Sequence, residues 1–332
     1  PGKEDLVMLL NLDSLNLRKS GLSTAEPLTR FYKLRYLDIS ENNIRTLDAL
    51  VNLDKLESLK VSSTPVEQVL PLKNLKNLIY LDLSGTRVND IYLLSYLGNL
   101  QYLNVDKANV SWEAVKEFHA EHPDCTIIFD TNYLSNWWQK MDDEWKEIFR
   151  TNNNFKGTPD TEMLHEIIAR DKVIIEQAAI TDLRPLWDFL SLKELYISGS
   201  SLRDLSTLPA LTQLEVLECK QLPLEDLSPI GSLTTLKRLN ISNTAIDDLR
   251  PLVTLSKLEV LNCSGTNLSN LRGLENLVSL RKLDCSNTRV NRLDQIFGLD
   301  NLLELSCYNT RLNKRDISGF QGVNPDCKII FY

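Results

Sequence analysis

An α/β solenoid in two capped arrays is the fold this sequence predicts, and three observations carry the prediction. Apolar residues recur every 22 residues, in turns beginning at Leu12, Leu34, Leu56, Leu78 and Leu100 and again at Leu192, Leu214, Leu236, Leu258, Leu280 and Leu302. One turn, Leu236, Leu239, Ile241, Ile246, Leu249, Leu252 and Leu255, fits neither a continuous helix nor a long alternating strand, so each turn must bury its apolar slots against its neighbours. The segment that closes the first array recurs at the far end: Val115, Phe118, Pro123, Asp124, Cys125, Ile127, Ile128 and Phe129 match Ile317, Phe320, Pro325, Asp326, Cys327, Ile329, Ile330 and Phe331 at a constant offset of 202. The fronts of the arrays match at a different offset, 158, through Pro1, Leu6, Leu9, Leu10 and Leu22 against Pro159, Leu164, Ile167, Ile168 and Ile180. The two offsets, 202 and 158, differ by 44, so the second array holds two more 22-residue turns than the first.

Within each turn the first part reads L-x-x-L-x-L-x-x-(N/T)-x-L, as in LRYLDISENNI from Leu34 and LIYLDLSGTRV from Leu78, and this resembles leucine-rich repeats. The D-L-x-P-L segments Asp182 to Leu186 and Asp248 to Leu252 are similar to the short class found in bacterial internalins and in a protein phosphatase regulatory subunit, which points to a bacterial protein. The resemblance implies a right-handed superhelix, with short parallel strands on the concave face and loop or 3-10 segments on the convex face.

Taken in order, the first module covers residues 1–130 and the second residues 131–332. A helical N-terminal cap is expected over residues 1–11, where Pro1, Glu4 and Asp5 precede Leu6, Leu9 and Leu10 on one face. Five turns follow to Val110, and the phase then breaks at residues 111–130, where Ser111 can cap a helix with Trp112, Val115 and Phe118 as its apolar stripe and Thr126 to Phe129 reads as a strand. This is a C-terminal cap over an otherwise open apolar end and sheet edge. Residues 133–170 are expected to form a two-helix N-terminal cap of the second module. Its first helix carries Leu134, Trp137, Trp138, Met141, Trp145, Ile148 and Phe149 on one face, the stretch Thr151 to Pro159 is a linker, and the second helix begins near Pro159. About seven turns, counting a degenerate one at Arg170, lead to the C-terminal cap at residues 313–332. Because Pro1 matches Pro159 without the aromatic helix that precedes the latter, the native gene is expected to encode a comparable helix upstream.

Composition narrows the function. A net charge of -8 and a pI near 5.1 argue against nucleic acid or an anionic membrane as partner, because either selects for a basic face. No apolar run approaches the roughly 20 residues needed to cross a bilayer. Cys219, Cys263, Cys285 and Cys307 occupy the inward slot that Ile197 and Ile241 fill in other turns, so they read as reduced core residues. That pattern favours a cytoplasmic setting, with a secreted or surface-attached protein as the alternative if a signal was removed upstream of Pro1. His119-x-x-His122-x-x-Cys125 has metal-like spacing, but Gln321, Asn324 and Cys327 stand at the equivalent places in the second cap, so neither metal nor cofactor is expected. The sequence contains no phosphate loop or nucleophile elbow, and an enzyme is not expected. The serine column (Ser40, Ser62, Ser84, Ser198, Ser242, Ser264, Ser286) and the threonine column after it read as structural.

What remains is the solvent side of the sheet, where the third, fifth and seventh residues of each turn point outward. The candidates for binding a protein or peptide are Tyr36, Asp38, Lys60, Tyr80, Asp82, Tyr102 and Asn104 in the first module, and Tyr196, Glu218, Arg238, Asp284 and Tyr308 in the second. The function this implies is a non-enzymatic, monomeric protein-interaction scaffold. The alternatives are a sensor or regulatory region of a larger multidomain chain and an internalin-like surface adhesin.

Overall fold

A computed structural model describes residues 11–331. The helical cap expected over residues 1–11 lies, except for Asn11, outside the described residues. The chain divides into two compact units: Pro1–Lys140 with Thr158–Ala169, and Met141–Gly157 with Arg170–Tyr332.

The first unit is built on a six-stranded, wholly parallel sheet in sequence order. Its strands are β1 (Ser14–Asn16), β2 (Tyr36–Asp38), β3 (Ser58–Lys60), β4 (Tyr80–Asp82), β5 (Tyr102–Asn104) and β6 (Thr126–Ile128). Each of β1 to β5 occupies the third to fifth positions of its turn. The fourth position is a leucine, and Leu37, Leu59, Leu81 and Leu103 stand opposite one another in register, all buried. Full burial of such a side chain stabilises by about 1.5–3 kcal/mol, and repetition of the same slot is what holds the register. Short 3-10 segments return the chain behind the sheet, for example Asp48–Leu50 and Tyr92–Tyr96.

The turn from strand to loop has a fixed chemistry. The eighth residue of each turn is left-handed whatever its type, as at Lys19 (φ 53), Glu41 (56), Ser63 (54), Gly85 (63) and Lys107 (58). The ninth residue bonds the bend: Thr64 and Thr86 each donate Oγ1–H to the carbonyl three residues earlier, at 2.7 Å. Asn42 does more, because its amide donates to Leu17 O (2.8 Å) of the preceding turn and to Ile39 O (2.9 Å), while its Oδ1 accepts from Leu22 N–H (2.9 Å).

The cap of this unit is helix α1 (Trp112–Glu121), capped by Ser111, which accepts from Ala114 N–H as expected, and then β6. Helices α2 (Thr131–Lys140) and α4 (Thr161–Ala169) also belong to this unit, and α4 packs on β6. The sequence pattern places both helices in the second module, 131–332, whereas their packing places them with the first unit. Leu134 to Phe149 also read as one helical face, whereas the structure breaks the helix after Lys140. Asp142 leaves the helical region (φ -68, ψ 164) and its carboxylate accepts from Trp145 N–H, starting α3 (Asp143–Asn153) as a separate helix. The expected linker is correspondingly shorter: Thr151 to Asn153 are helical, and Asn154 ends the helix in the left-handed region at φ 52.

The second unit contains α3 and an eight-stranded parallel sheet. Its strands are β7 (Lys172–Glu176), β8 (Glu194–Ser198), β9 (Val216–Lys220), β10 (Arg238–Asn240), β11 (Val260–Asn262), β12 (Lys282–Asp284), β13 (Glu304–Ser306) and β14 (Lys328–Ile330). The degenerate turn at Arg170 is a genuine one, with β7 in five-residue register on β8. Its outer edge is closed by Asn152 of α3, whose amide donates to Ile174 O (2.7 Å) and whose Oδ1 accepts from Ile174 N–H (2.8 Å). At Ile174 this one side chain takes the place of a neighbouring strand's backbone. Pro185, Pro229 and Pro251 start 3-10 segments, and in the D-L-x-P-L motif Asp182 and Asp248 accept the N–H of Arg184 and Arg250 two residues ahead. Helix α5 (Lys314–Val323) and β14 end the unit, and Asn313 with Asp316 forms a capping box on α5.

All six cysteines are buried free thiols, and burial pushes Cys125, Cys219 and Cys307 up to about 12. His119 is buried, burial lowers the pKa of His122, and no group of three or more His, Cys, Asp or Glu among the described residues could hold a metal ion. Among these residues no helix is long and apolar enough to cross a membrane.

Candidate functional site

On the first sheet the third positions run Ser14, Tyr36, Ser58, Tyr80, Tyr102 and Thr126 in register. Parallel strands lie about 4.8 Å apart, and Tyr80 and Tyr102 use that spacing to stack, with ring centroids 4.5 Å apart and planes within 4°. Lys60 places its Nζ 5.3 Å from the Tyr80 ring centroid. Partial burial raises the pKa of both tyrosines, with Asp82 adding to it for Tyr80 and the neighbouring phenol and then Glu162 of α4 adding to it for Tyr102. The phenols therefore stay neutral hydrogen-bond donors through the physiological range. Tyr36 stands apart beyond Ser58. It is 43% exposed, its hydroxyl donates to Glu57 (3.3 Å), and Arg35 lies 5.5 Å from its ring centroid while pairing with Glu57 at 2.8 Å.

The fifth positions have a role that the sequence reading missed. Asp38, Asp82 and Asn104 each turn Oδ1 back to accept the backbone N–H two residues on, at 3.0, 2.9 and 3.0 Å, and Asn240, Asn262 and Asp284 do the same at 3.0, 3.0 and 2.9 Å. They end the strand, as an Asx turn does. The signal was available: Asp or Asn recurs at this slot in turn after turn, and a short polar side chain that recurs at a chain bend more often caps it than binds a ligand. The chain bends here, so the seventh position does not simply face outward. Ser40, Ser242 and Ser286 are buried, whereas Tyr308 at the same slot remains 41% exposed.

The face of the second sheet is largely occupied with itself. Tyr196 donates to Glu194 (2.9 Å) under Lys172, whose Nζ is 4.7 Å from the ring centroid, and Glu218 pairs with Lys220 at 3.5 Å. Arg238 differs. It is exposed and stands between Val216 and Val260 in register, and its side chain makes no ion pair or hydrogen bond with another described residue. Ile174, absent from the sequence candidates because its turn is degenerate, is a 40% exposed aliphatic beside Tyr196 in register. The structure thus brings Lys60, Tyr80, Asp82 and Tyr102 together, leaves Tyr36 beyond the intervening strand β3, and keeps Tyr196, Glu218, Arg238 and Asp284 on a separate sheet, with Tyr308 just past β13.

A recurrent 22-residue turn, with a parallel strand, a left-handed bend and a 3-10 return, defines the leucine-rich repeat, and this chain is built of such repeats. Residues 10–66 match the family model described as Leucine rich repeat. No curated protein matches the sequence. Among solved structures, an internalin (inlF) from Listeria monocytogenes is 21% identical, with a TM-score of 0.45 over 97% of this chain and 81% of that one. A leucine-rich-repeat protein of Leptospira interrogans is 17% identical, with a TM-score of 0.42 over 99% of this chain and 98% of that one.

Proposed function

We propose that this protein is a non-enzymatic scaffold that binds a protein or peptide on the concave sheet face, with the first unit as the principal site. The observation that carries this reading is the pair of stacked, half-buried tyrosines at Tyr80 and Tyr102, with Tyr36 further along the same row. On this side of the sheet they fill no core, and tyrosine offers a large contact area with few rotors to freeze. Their hydroxyls remain donors, and Lys60 beside them supplies a positive charge.

The stack has a structural value of its own, about 0.5–1.5 kcal/mol, so Tyr80→Ala and Tyr102→Ala should each lower stability by that order. Tyr36 lies outside the stack, and Tyr36→Ala separates the two roles. Affinity capture with mass spectrometry identifies the partner, and titration calorimetry then measures it against the three variants. At least one variant should weaken binding by about 2 kcal/mol or more, with Tyr36→Ala leaving the melting temperature nearly unchanged. Unchanged affinity in all three, with stability lost in the stack variants, would leave the tyrosines as scaffold.

A further inference from the structure

The two C-terminal caps have one sequence pattern but different surfaces. In the first unit Val115, Ile127, Ile128 and Phe129 are all buried. Trp112 lies edge-on to Phe129 (ring centroids 4.7 Å apart) and donates its indole N–H to Asp130, while α4 lays Leu164, Ile167 and Ile168 into the packing. His165 of α4 accepts the N–H of Phe129 at 2.9 Å, so the helix also satisfies the main chain just beyond the last strand. At the same four places in the second unit, offset by 202, Ile317, Ile329, Ile330 and Phe331 are only half-buried. Nearby, Val323 is 51% exposed and Phe297 37%. The place of Trp112 is taken by Lys314.

The charge of the two ends is also reversed. Residues 109–129 carry Glu113, Glu117, Glu121 and Asp124 against Lys116, a net -3, whereas residues 311–331 carry Arg311, Lys314, Arg315 and Lys328 against Asp316 and Asp326, a net +2. All four of these cations are exposed. Lys314 and Arg315 occupy the first turn of α5, where the helix dipole disfavours positive charge. Their placement works against the helix that carries them.

We propose that the β14 end of the second unit is a docking surface for an acidic amphipathic helix. The fold itself shows how such an end is closed, since α4 does it in the first unit. Aliphatic residues spaced like Leu164, Ile167 and Ile168 cover Ile317, Ile329 and Ile330. Carboxylates on the flanks of the helix meet Arg311, Lys314, Arg315 and Lys328. This surface is separate from the tyrosine row and stands whether or not that row binds anything.

The probe is an acetylated, amidated peptide with the sequence of residues 159–170, which carries the aliphatic stripe and a net -2 from Asp160, Glu162 and Glu166 against Arg170. It is added to the full chain at about 1 mM, and amide hydrogen exchange is followed by mass spectrometry. Exchange over residues 328–331 should slow by about fivefold or more, and the effect should fade with added salt. Arg315→Glu and Lys328→Glu should each weaken the peptide by about threefold or more. Arg315→Glu should at the same time leave α5 as stable as before or more so, because it removes the unfavourable dipole contact, and this separates loss of docking from loss of fold. Absence of protection at that concentration, protection confined to the tyrosine row, or protection of residues 328–331 by self-association of the chain without peptide would each overturn the proposal.

Discussion

Asn42 differs from the threonines that occupy its slot in later turns, and the difference can be measured. A threonine there bonds only its own bend, as Thr64 does to Val61 O at 2.7 Å. Asn42 also reaches back one full turn, to Leu17 O at 2.8 Å and Leu22 N–H at 2.9 Å. Asn42→Thr keeps the bond to Ile39 O and removes the two that cross between turns. Both partners are part-buried, so water restores some of what is lost and each missing bond costs about 0.5–1.5 kcal/mol, or about 1–3 kcal/mol together. For a unit of about 150 residues this corresponds to a fall in melting temperature of roughly 2–4 °C per kcal/mol. Thr64→Ala, which removes one bond within one turn, is the comparison and should cost about 1 kcal/mol. Urea and thermal denaturation followed by circular dichroism give both values. If Asn42→Thr costs less than Thr64→Ala, the bonds between turns carry no stability and the argument is wrong.

The buried thiols should react little with a thiol reagent in the native state and should all six react in denaturant. The folded pKa of Cys219 is raised from 9.0 to about 12, so its contribution to stability is full below pH 9 and is lost as pH rises toward 12; a Cys219→Ala variant should show a shallower alkaline loss in denaturation midpoints. Gln221 sits in the left-handed region at φ 57, where a side chain costs about 1–2 kcal/mol. Gln221→Gly should therefore raise stability by about 0.5 kcal/mol after the entropic cost of glycine, and a loss in urea denaturation would contradict that.

The 22-residue period made the strands legible, because a parallel strand repeats the same slot for the same reason in every turn. The same logic made the inward cysteines legible as core. Two things escaped. The break at Asp142 is set by a single N-cap carboxylate acting against an apolar face that runs unbroken from Leu134 to Phe149, and periodicity sees the face but not the cap. The acidic pair Asp143 and Glu144 just after it was the available signal. The fifth-position side chains escaped for the opposite reason: they alternate outward as expected, and their recurrence as Asp or Asn was outweighed by that parity, although Asp38 and Asp284 each hold a backbone N–H at the bend beyond the strand. A site argument from strand parity alone therefore overstates how many of these side chains are free for a partner.

The assignment of residues 131–169 has a consequence for how the protein comes off the ribosome. The first unit needs Thr158–Ala169, yet Met141–Gly157, which is synthesised earlier, belongs to the second. Most of the array can settle turn by turn, since each strand meets a partner made 22 residues before it. The first unit cannot close that way. Its last strand waits with Phe129 uncovered until His165 has emerged, and by then the polypeptide has already committed a helix elsewhere. No single cut in the chain separates the two units cleanly, so a protease nick or a premature stop anywhere between Asp130 and Arg170 would injure both.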